Sequence, residues 1–425
     1  MRPPFVMVKF LRRHSLALII FIAVLIRIPA ALYLGDQVTA LPGIHDQISY
    51  NALAKSILAG NGYQFTQDWY PFTPANTPTA HWSFLYPLYL AGVYGLVGFH
   101  PLVARLVQAV VGGALVCLLL YAIGRRLFDR RVALLGAALS AVYAYFIYYN
   151  AALMTETFFI VAILLSLYLA LELKEKPSVT GWAAFGFSMG VAALLRQTAF
   201  LVLPVILAWL IWELKGRIRL WNLLVPLLVI ALLVLPWTAR NYRAYKHFLL
   251  LNSNAGYALY AANNPGLEAD WQADKVVVPI PPDLKGQNEA ELNDALLKRA
   301  FGFILDDPGR YLLLTLDKSL EYFKFWPSNQ SGLISNLSRV LSFGLYLPFM
   351  LWGLYLSLPH WRKYLPLYLF ITSYSAIHLL SWPAPRYRLP VDSVLMLFAA
   401  FALLDLLNRF NIYERTAPKI SWERN

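Results

Sequence analysis

The chain has little charge and almost no cysteine. Charged residues make up 14% of the 425 positions, against 59% hydrophobic ones. An ordinary soluble domain carries about 25% charge. The single cysteine, Cys117, falls in an apolar run, which excludes a disulfide framework and a thiolate metal site. No Gly-x-Gly-x-x-Gly stands in a strand-turn-helix setting, and there is no P-loop, His-Glu-x-x-His or Gly-x-Ser-x-Gly, so the common soluble nucleotide, zinc and serine-hydrolase chemistries find no support. The net charge of +13 does not point to nucleic acid, because no basic block is interleaved with aromatics as a nucleic-acid platform needs. There is no internal repeat and no low-complexity segment.

What the chain does have is long apolar runs, the pattern of an all-α polytopic membrane protein. The runs predict about ten transmembrane helices, near 16–34, 102–123, 132–149, 153–172, 181–195, 198–213, 221–237, 341–358, 364–381 and 390–407. The first is preceded by Lys9, Arg12 and Arg13 and lacks a small-residue cleavage site, so it reads as a retained anchor. The run Phe84–Phe99 is short, holds Pro87 and is rich in Tyr and Gly; it reads as an interfacial or re-entrant helix. Basic residues then gather at 1–14, 125–131, 174–176, 215–219, 362–363 and 409–424, which together hold 19 of the 36 Lys and Arg. The positive-inside bias places these segments and both termini in the cytoplasm of a cell (inner) membrane protein.

Three parts follow: an N-terminal module, 1–237, with a first exoplasmic loop at 35–101; an exoplasmic loop or small subdomain at 238–340; and C-terminal helices with a cytoplasmic tail, 341–425. In the second part Asp306-Asp307-Pro308 reads as a cap followed by an early helical proline. Leu312, Leu313, Leu316, Leu320 and Phe323 then share one face, with Asp317, Glu321 and Lys324 opposite. Such a helix suits a membrane surface.

Polar groups near membrane depth are costly and need a partner or a task. On this topology four sets converge on the exoplasmic side. Asp46 opens a helix in which Tyr50, Leu53, Ala54, Ile57 and Leu58 share an apolar face and which Gly60 and Gly62 stop. Its carboxylate is placed either to cap that helix or to act as a base. Glu156 begins another helix, where a carboxylate also suits the helix dipole. Arg196 lies between the fifth and sixth spans, where an interfacial side chain can simply snorkel. The fourth set is cationic, in Pro236-Trp237-Thr238-Ala239-Arg240-Asn241-Tyr242-Arg243 and Pro383-Ala384-Pro385-Arg386-Tyr387-Arg388-Leu389-Pro390. Fork-shaped guanidiniums at headgroup level are donors for a phosphate or pyrophosphate, though bulk anionic lipid can occupy them as well. A carboxylate pair beside such a cluster suits transfer from a lipid-phosphate donor: Arg stabilises the leaving phosphate and a carboxylate takes the acceptor proton. His45 and His81 could join Asp46 and Glu156 around a divalent metal, although nothing in the spacing specifies one.

The chain resembles the polytopic glycosyltransferases of the GT-C superfamily. It is similar in particular to bacterial relatives of the dolichyl-phosphate-mannose–protein mannosyltransferases (glycosyltransferase family 39), with the lipid A aminoarabinose transferases as cousins. The resemblance runs from about 16 to 407 and is weakest in 265–305. It rests on Asp46-x-x-x-Tyr50-x-x-x-Ala54, Tyr86-Pro87-Leu88, Arg125-Arg126-Leu127-Phe128, Thr155-Glu156-Thr157, Leu195-Arg196, Pro236-Trp237-x-x-Arg240-Asn241-Tyr242 and Arg386-Tyr387-Arg388-Leu389-Pro390. It implies a GT-C-like bundle and transfer, with inversion, from a polyprenyl-phosphate sugar donor on the exoplasmic face. The acceptor would be a lipid, glycan or protein hydroxyl, and the remaining partners membrane lipids. Asp46 is implied as general base and Arg240, Arg386 and Arg388 as lipid-phosphate contacts; Arg196, Tyr50 and Asn241 complete the expected donor site. The second acid that the family often carries directly after the first is Gln47 here, which passes that role to Glu156. Two other functions fit the composition: an O-antigen-type polymerase or ligase using pyrophosphate-linked glycans, and a lipid or sugar transporter. The first does not call for an Asp-led helix in the first loop. A transporter places its polar site near the bilayer midplane, whereas here polar residues crowd at one face.

Overall fold

A computed structural model describes residues 5–216, 220–266, 278–327 and 332–410. Part of the basic set used above for orientation, at 1–4, 217–219 and 411–424, lies outside the described residues. Among those described there is no β-strand, only three isolated bridges. The helices are α1 Phe5–Leu34, α2 Asp46–Leu58, α3 Leu85–Val97, α4 Pro101–Leu127, α5 Arg130–Val142 and α6 Ala144–Ala151. They continue as α7 Glu156–Glu175, α8 Val179–Leu195, α9 Ala199–Glu213, α10 Leu220–Tyr245, α11 Asn254–Asn263 and α12 Glu289–Asp306. The last are α13 Pro308–Tyr322, α14 Leu333–Arg339, α15 Leu345–Ser357, α16 Trp361–Leu380 and α17 Leu389–Arg409.

Six helical stretches are long and apolar enough to cross a membrane, or seven if the bent pair α5–α6 counts as one span. The protein is thus a multi-pass membrane protein, but helix length does not yield the expected ten. Two of the expected spans are α8 and α9, of 17 and 15 residues. At 1.5 Å per residue they reach about 25 and 22 Å, short of the ~30 Å hydrocarbon core. Two others fall in one apolar stretch, Ser335–Leu380, of 46 residues, long enough for two crossings. The segment read as interfacial is α3, of 13 residues, about 20 Å long.

The span expected at 132–149 is broken at Tyr143, where α5 and α6 meet at 54°. The physical reason is Arg27, inside the first span and 1% exposed. Its guanidinium donates to the carbonyls of Ala141 at 2.9 Å and Ser140 at 3.3 Å. A break in the α5–α6 ladder frees carbonyls, and a buried arginine needs acceptors. Small residues bring other helices together: a Cβ on Gly113 would meet the backbone of Val24, and one on Gly186 that of Pro226. Without a hydrophobic driving force in lipid, such close approach is what packs α4 on α1 and α8 on α10. Helix α17 is the innermost, in contact with α5, α7, α15 and α16.

The amphipathic helix is α13. Asp307 caps it through the Arg310 amide at 2.8 Å, Pro308 follows, and the leucines at 312, 313, 316 and 320 all stand exposed. Beside it α11 and α12 pack into a small separate core of Tyr257, Tyr260, Leu292 and Leu296, to which Phe72 and Trp382 add.

Candidate active site

The start of α2, the loop 61–83, the α8–α9 junction, α11, the ends of α12 and α16 and the turn before α17 enclose one cavity of about 1340 Å³. Asp46, Tyr50, Arg196, Arg386, His45 and His81 all line it. Segments far apart in the sequence therefore meet there.

Asp46 does not cap its helix. The cap position is His45, and no side chain makes a capping hydrogen bond. The Asp46 carboxylate instead meets Arg386, with Nη2 2.8 Å from Oδ2. Asp46 is 21% and Arg386 15% exposed at the side chain, so the pair is sheltered yet open to the cavity. The Asp46 carboxylate balances the charge of the Arg386 guanidinium. Tyr50 lies one turn after Asp46 and packs edge-on to Tyr86 and Trp82, with ring centroids 5.1 and 5.8 Å apart. Burial pushes its hydroxyl pKa up, so it stays a neutral donor.

A second ion pair stands behind the first. Arg196 Nη2 lies 3.4 Å from Glu156 Oε1. Glu156 is fully buried and outside the cavity wall, whereas Arg196 lines it. Arg196 also lies over the Tyr387 ring at 4.6 Å, and Arg386 approaches the same ring at 5.0 Å. Two guanidiniums against two carboxylates thus surround one tyrosine. Glu156 therefore meets Arg196 from behind the cavity wall.

Three expected donor contacts lie elsewhere. Arg240 donates to the carbonyls of Thr79 at 2.8 Å and Tyr63 at 2.9 Å. Asn241, fully buried, donates to Leu251 O at 2.8 Å and Leu249 O at 3.2 Å. Both tie backbone loops, and neither lines the cavity. Arg388 is fully buried against Asp392, with Nε 2.9 Å from Oδ1, and donates to Tyr322 O. It joins α17 to α13 and does not reach the cavity. A sequence cannot distinguish these arginines from Arg386, because all of them sit in Arg/Tyr/Pro surroundings at the end of a span. His45 and His81 do line the cavity, but among the described residues no group of three or more His, Cys, Asp or Glu is placed to hold a metal ion.

Several residues in the site or in the structure around it were not singled out from the sequence. Tyr387 stands between the two highlighted arginines. His378, buried near the end of α16, lies on Tyr387 with centroids 4.7 Å apart; a histidine closing an apolar span was its available signal. Glu289, 5% exposed, accepts from Thr73 Oγ1 at 2.6 Å, Ala80 N at 2.7 Å, Ser253 Oγ at 3.0 Å and Tyr245 OH at 3.3 Å. It fastens the cavity's two loop segments together, and nothing local marks it. Arg105, buried in α4, donates to Gly35 O, Gln37 O and Ala151 O; its signal was a charge inside an apolar run.

Residues 81–239 match the family model described as dolichyl-phosphate-mannose-protein mannosyltransferase. The match includes His81, Glu156 and Arg196 and stops short of Asp46 and Arg386. Among solved structures the chain is similar to the oligosaccharyltransferase AglB of Archaeoglobus fulgidus, in complex with an inhibitory peptide and a dolichol-phosphate. There the TM-score is 0.61 at 17% identity, covering 97% of this chain and 53% of that one. It is also similar to ArnT of Cupriavidus metallidurans bound to undecaprenyl phosphate, with a TM-score of 0.55 at 18% identity, covering 92% of this chain and 60% of that one. No curated protein matches it in sequence. The chain has the fold of the GT-C glycosyltransferases, the superfamily of both enzymes. It spans about half the length of the oligosaccharyltransferase.

Proposed function

We propose that the protein is a membrane glycosyltransferase that moves a sugar from a polyprenyl-phosphate donor to an acceptor hydroxyl, with inversion at the sugar. The observation that carries this reading is the Asp46–Arg386 pair facing the cavity, with Arg196 and Tyr387 beside it. A carboxylate is a base for the acceptor hydroxyl, and paired guanidiniums stabilise the phosphate that departs. In the transfer, the acceptor O–H gives its proton to Asp46 while its oxygen forms a bond to the anomeric carbon. The bond from that carbon to the phosphate oxygen breaks with its electron pair, and polyprenyl phosphate leaves toward Arg386 and Arg196. Glu156 balances Arg196 throughout.

The similarity to solved structures with dolichol-phosphate and undecaprenyl phosphate supports the donor class. The basic segments support a cavity on the exoplasmic face of a cell membrane with cytoplasmic termini. The test uses membranes bearing wild-type or Asp46→Asn protein, supplied with radiolabelled polyprenyl-phosphate sugars. Transfer to an acceptor is expected from wild type and is expected to fall at least about 100-fold in the normally inserted variant. Undiminished transfer by the variant would remove Asp46 as the base.

A further inference from the structure

The cavity wall beyond the ion pairs has a chemistry of its own. From Tyr50 the rings continue: Trp82 lies 5.8 Å from Tyr50 and His81 5.1 Å from Trp82, and Phe72, behind the wall, links His81 at 5.4 Å to Tyr257 at 5.7 Å. Tyr70 closes the row, its hydroxyl 3.3 Å from that of Tyr257. The row crosses from the loop 61–83 to α11, and Glu289 holds those two segments in register. Trp69 is fixed beside it by an Nε1 hydrogen bond to Ser49 Oγ at 2.9 Å and by stacking on Phe65. Polar groups stand at the edges: Asp68 lines the cavity, and so do Gln197 and Asn254, whose amides meet at 2.5 Å. Tyr70 is 52% exposed. A side chain of that size left open in a cavity wall has a face to offer.

Resting on the glycosyltransferase reading, we propose that this wall is a saccharide subsite and that the acceptor is itself a neutral sugar. A pyranose has an apolar face of C–H bonds, which lies on an aromatic ring, and a rim of hydroxyls, which pair with carboxylate and amide groups. The wall supplies both in one place. Its position gives the acceptor rather than the phosphate side: Trp82 packs on Tyr50, one turn from the base Asp46. Charge excludes an anionic acceptor. Among the described residues the only Lys or Arg lining the cavity are Arg196 and Arg386, both beside carboxylates, while Asp68 lies at the wall. A peptide acceptor bound by strand addition would need an open strand edge. The backbone here has none: Trp69 and Thr73 bond to each other at 2.8 and 2.9 Å, and the described residues hold no strand.

The test is saturation-transfer NMR on the full chain in detergent or nanodiscs. The probes are neutral methyl pyranosides and disaccharides, a Ser/Thr-containing peptide, and separately undecaprenyl phosphate. Saturation of pyranoside ring C–H protons is expected, retained in Tyr70→Phe and reduced at least fivefold in Tyr70→Ala and Trp69→Ala. Undecaprenyl phosphate binding is expected to survive both Ala variants and to be lost in Arg386→Gln. If the lipid phosphate binds and no pyranoside does, the saccharide subsite is wrong while the donor reading stands; if neither binds, both are wrong. Saturation of the peptide in preference to the sugars, or pyranoside saturation indifferent to Tyr70→Ala, overturns the proposal. So does displacement of the pyranosides by undecaprenyl-phosphate hexoses, which would make the wall the donor's own sugar pocket.

Discussion

Asp46, Glu156, Arg196 and Arg386 are interdependent, and each changes meaning with its partner. Asp46 opens a helix, as its place in the sequence suggests, yet its oxygen goes to a guanidinium 340 positions further along the chain. Glu156 is fully buried, and its charge is balanced by Arg196. Removing one partner of such a pair leaves an uncompensated buried charge, which costs about 3–5 kcal/mol. Arg196→Ala is therefore expected to destabilise the protein by that order, and Arg196→Ala with Glu156→Gln by markedly less. Thermal unfolding of the detergent-purified variants checks this. Equal destabilisation by the single and double variants would show that the pair is not coupled.

At the scale of elements, α13 carries both a surface role and a strained charge. Its exposed leucines fit an interfacial helix, and its opposite face places Lys318 in the interior, with Nζ 3.0 Å from Asn263 Oδ1. Burial, with a smaller push from Arg310, lowers the Lys318 pKa from 10.5 to about 8. The folded state thus sheds this proton before the unfolded one does. Its charge destabilises the fold fully below pH 8, and stability rises as pH climbs from 8 toward 10.5, by at most about 3 kcal/mol. Lys318→Met is expected to raise stability at pH 7 and to flatten that rise. Melting curves between pH 7 and 10 read both effects, and an unchanged slope in the variant would place its origin elsewhere. The bend between α5 and α6 belongs to the same scale: Arg27 needs the carbonyls that the bend releases, so a single charge in α1 shapes two other helices.

For the whole molecule, the cavity exists only because two loop segments far apart in sequence are held against each other. Glu289 is the fastening point, with four hydrogen bonds to Thr73, Ala80, Ser253 and Tyr245. Glu289→Ala strands several buried donors, at about 1–3 kcal/mol each. It is expected to leave the membrane helices inserted while the segments 61–83 and 246–263 become sensitive to protease. Limited proteolysis of membranes followed by mass spectrometry reports where cleavage falls; protection equal to wild type in these segments would deny Glu289 that role.

Composition and apolar runs determined the membrane class, the all-helical architecture, the amphipathic α13 and the positions of the longest spans, because a hydrocarbon solvent allows few solutions and each is local in sequence. The family-like motifs also led to Asp46, Tyr50, Arg196 and Arg386, which meet in the cavity. Tertiary structure decided which of the cationic residues face that cavity. Arg240 and Arg388 look like Arg386 in their local sequence, but they are consumed by the carbonyls of Thr79 and Tyr63 and by Asp392. It also decided that Asp46 pairs rather than caps, that Glu156 stands behind the site, and that a row of rings lines the wall. Such choices depend on partners hundreds of residues away, and a buried charge takes whichever partner the packing brings within reach.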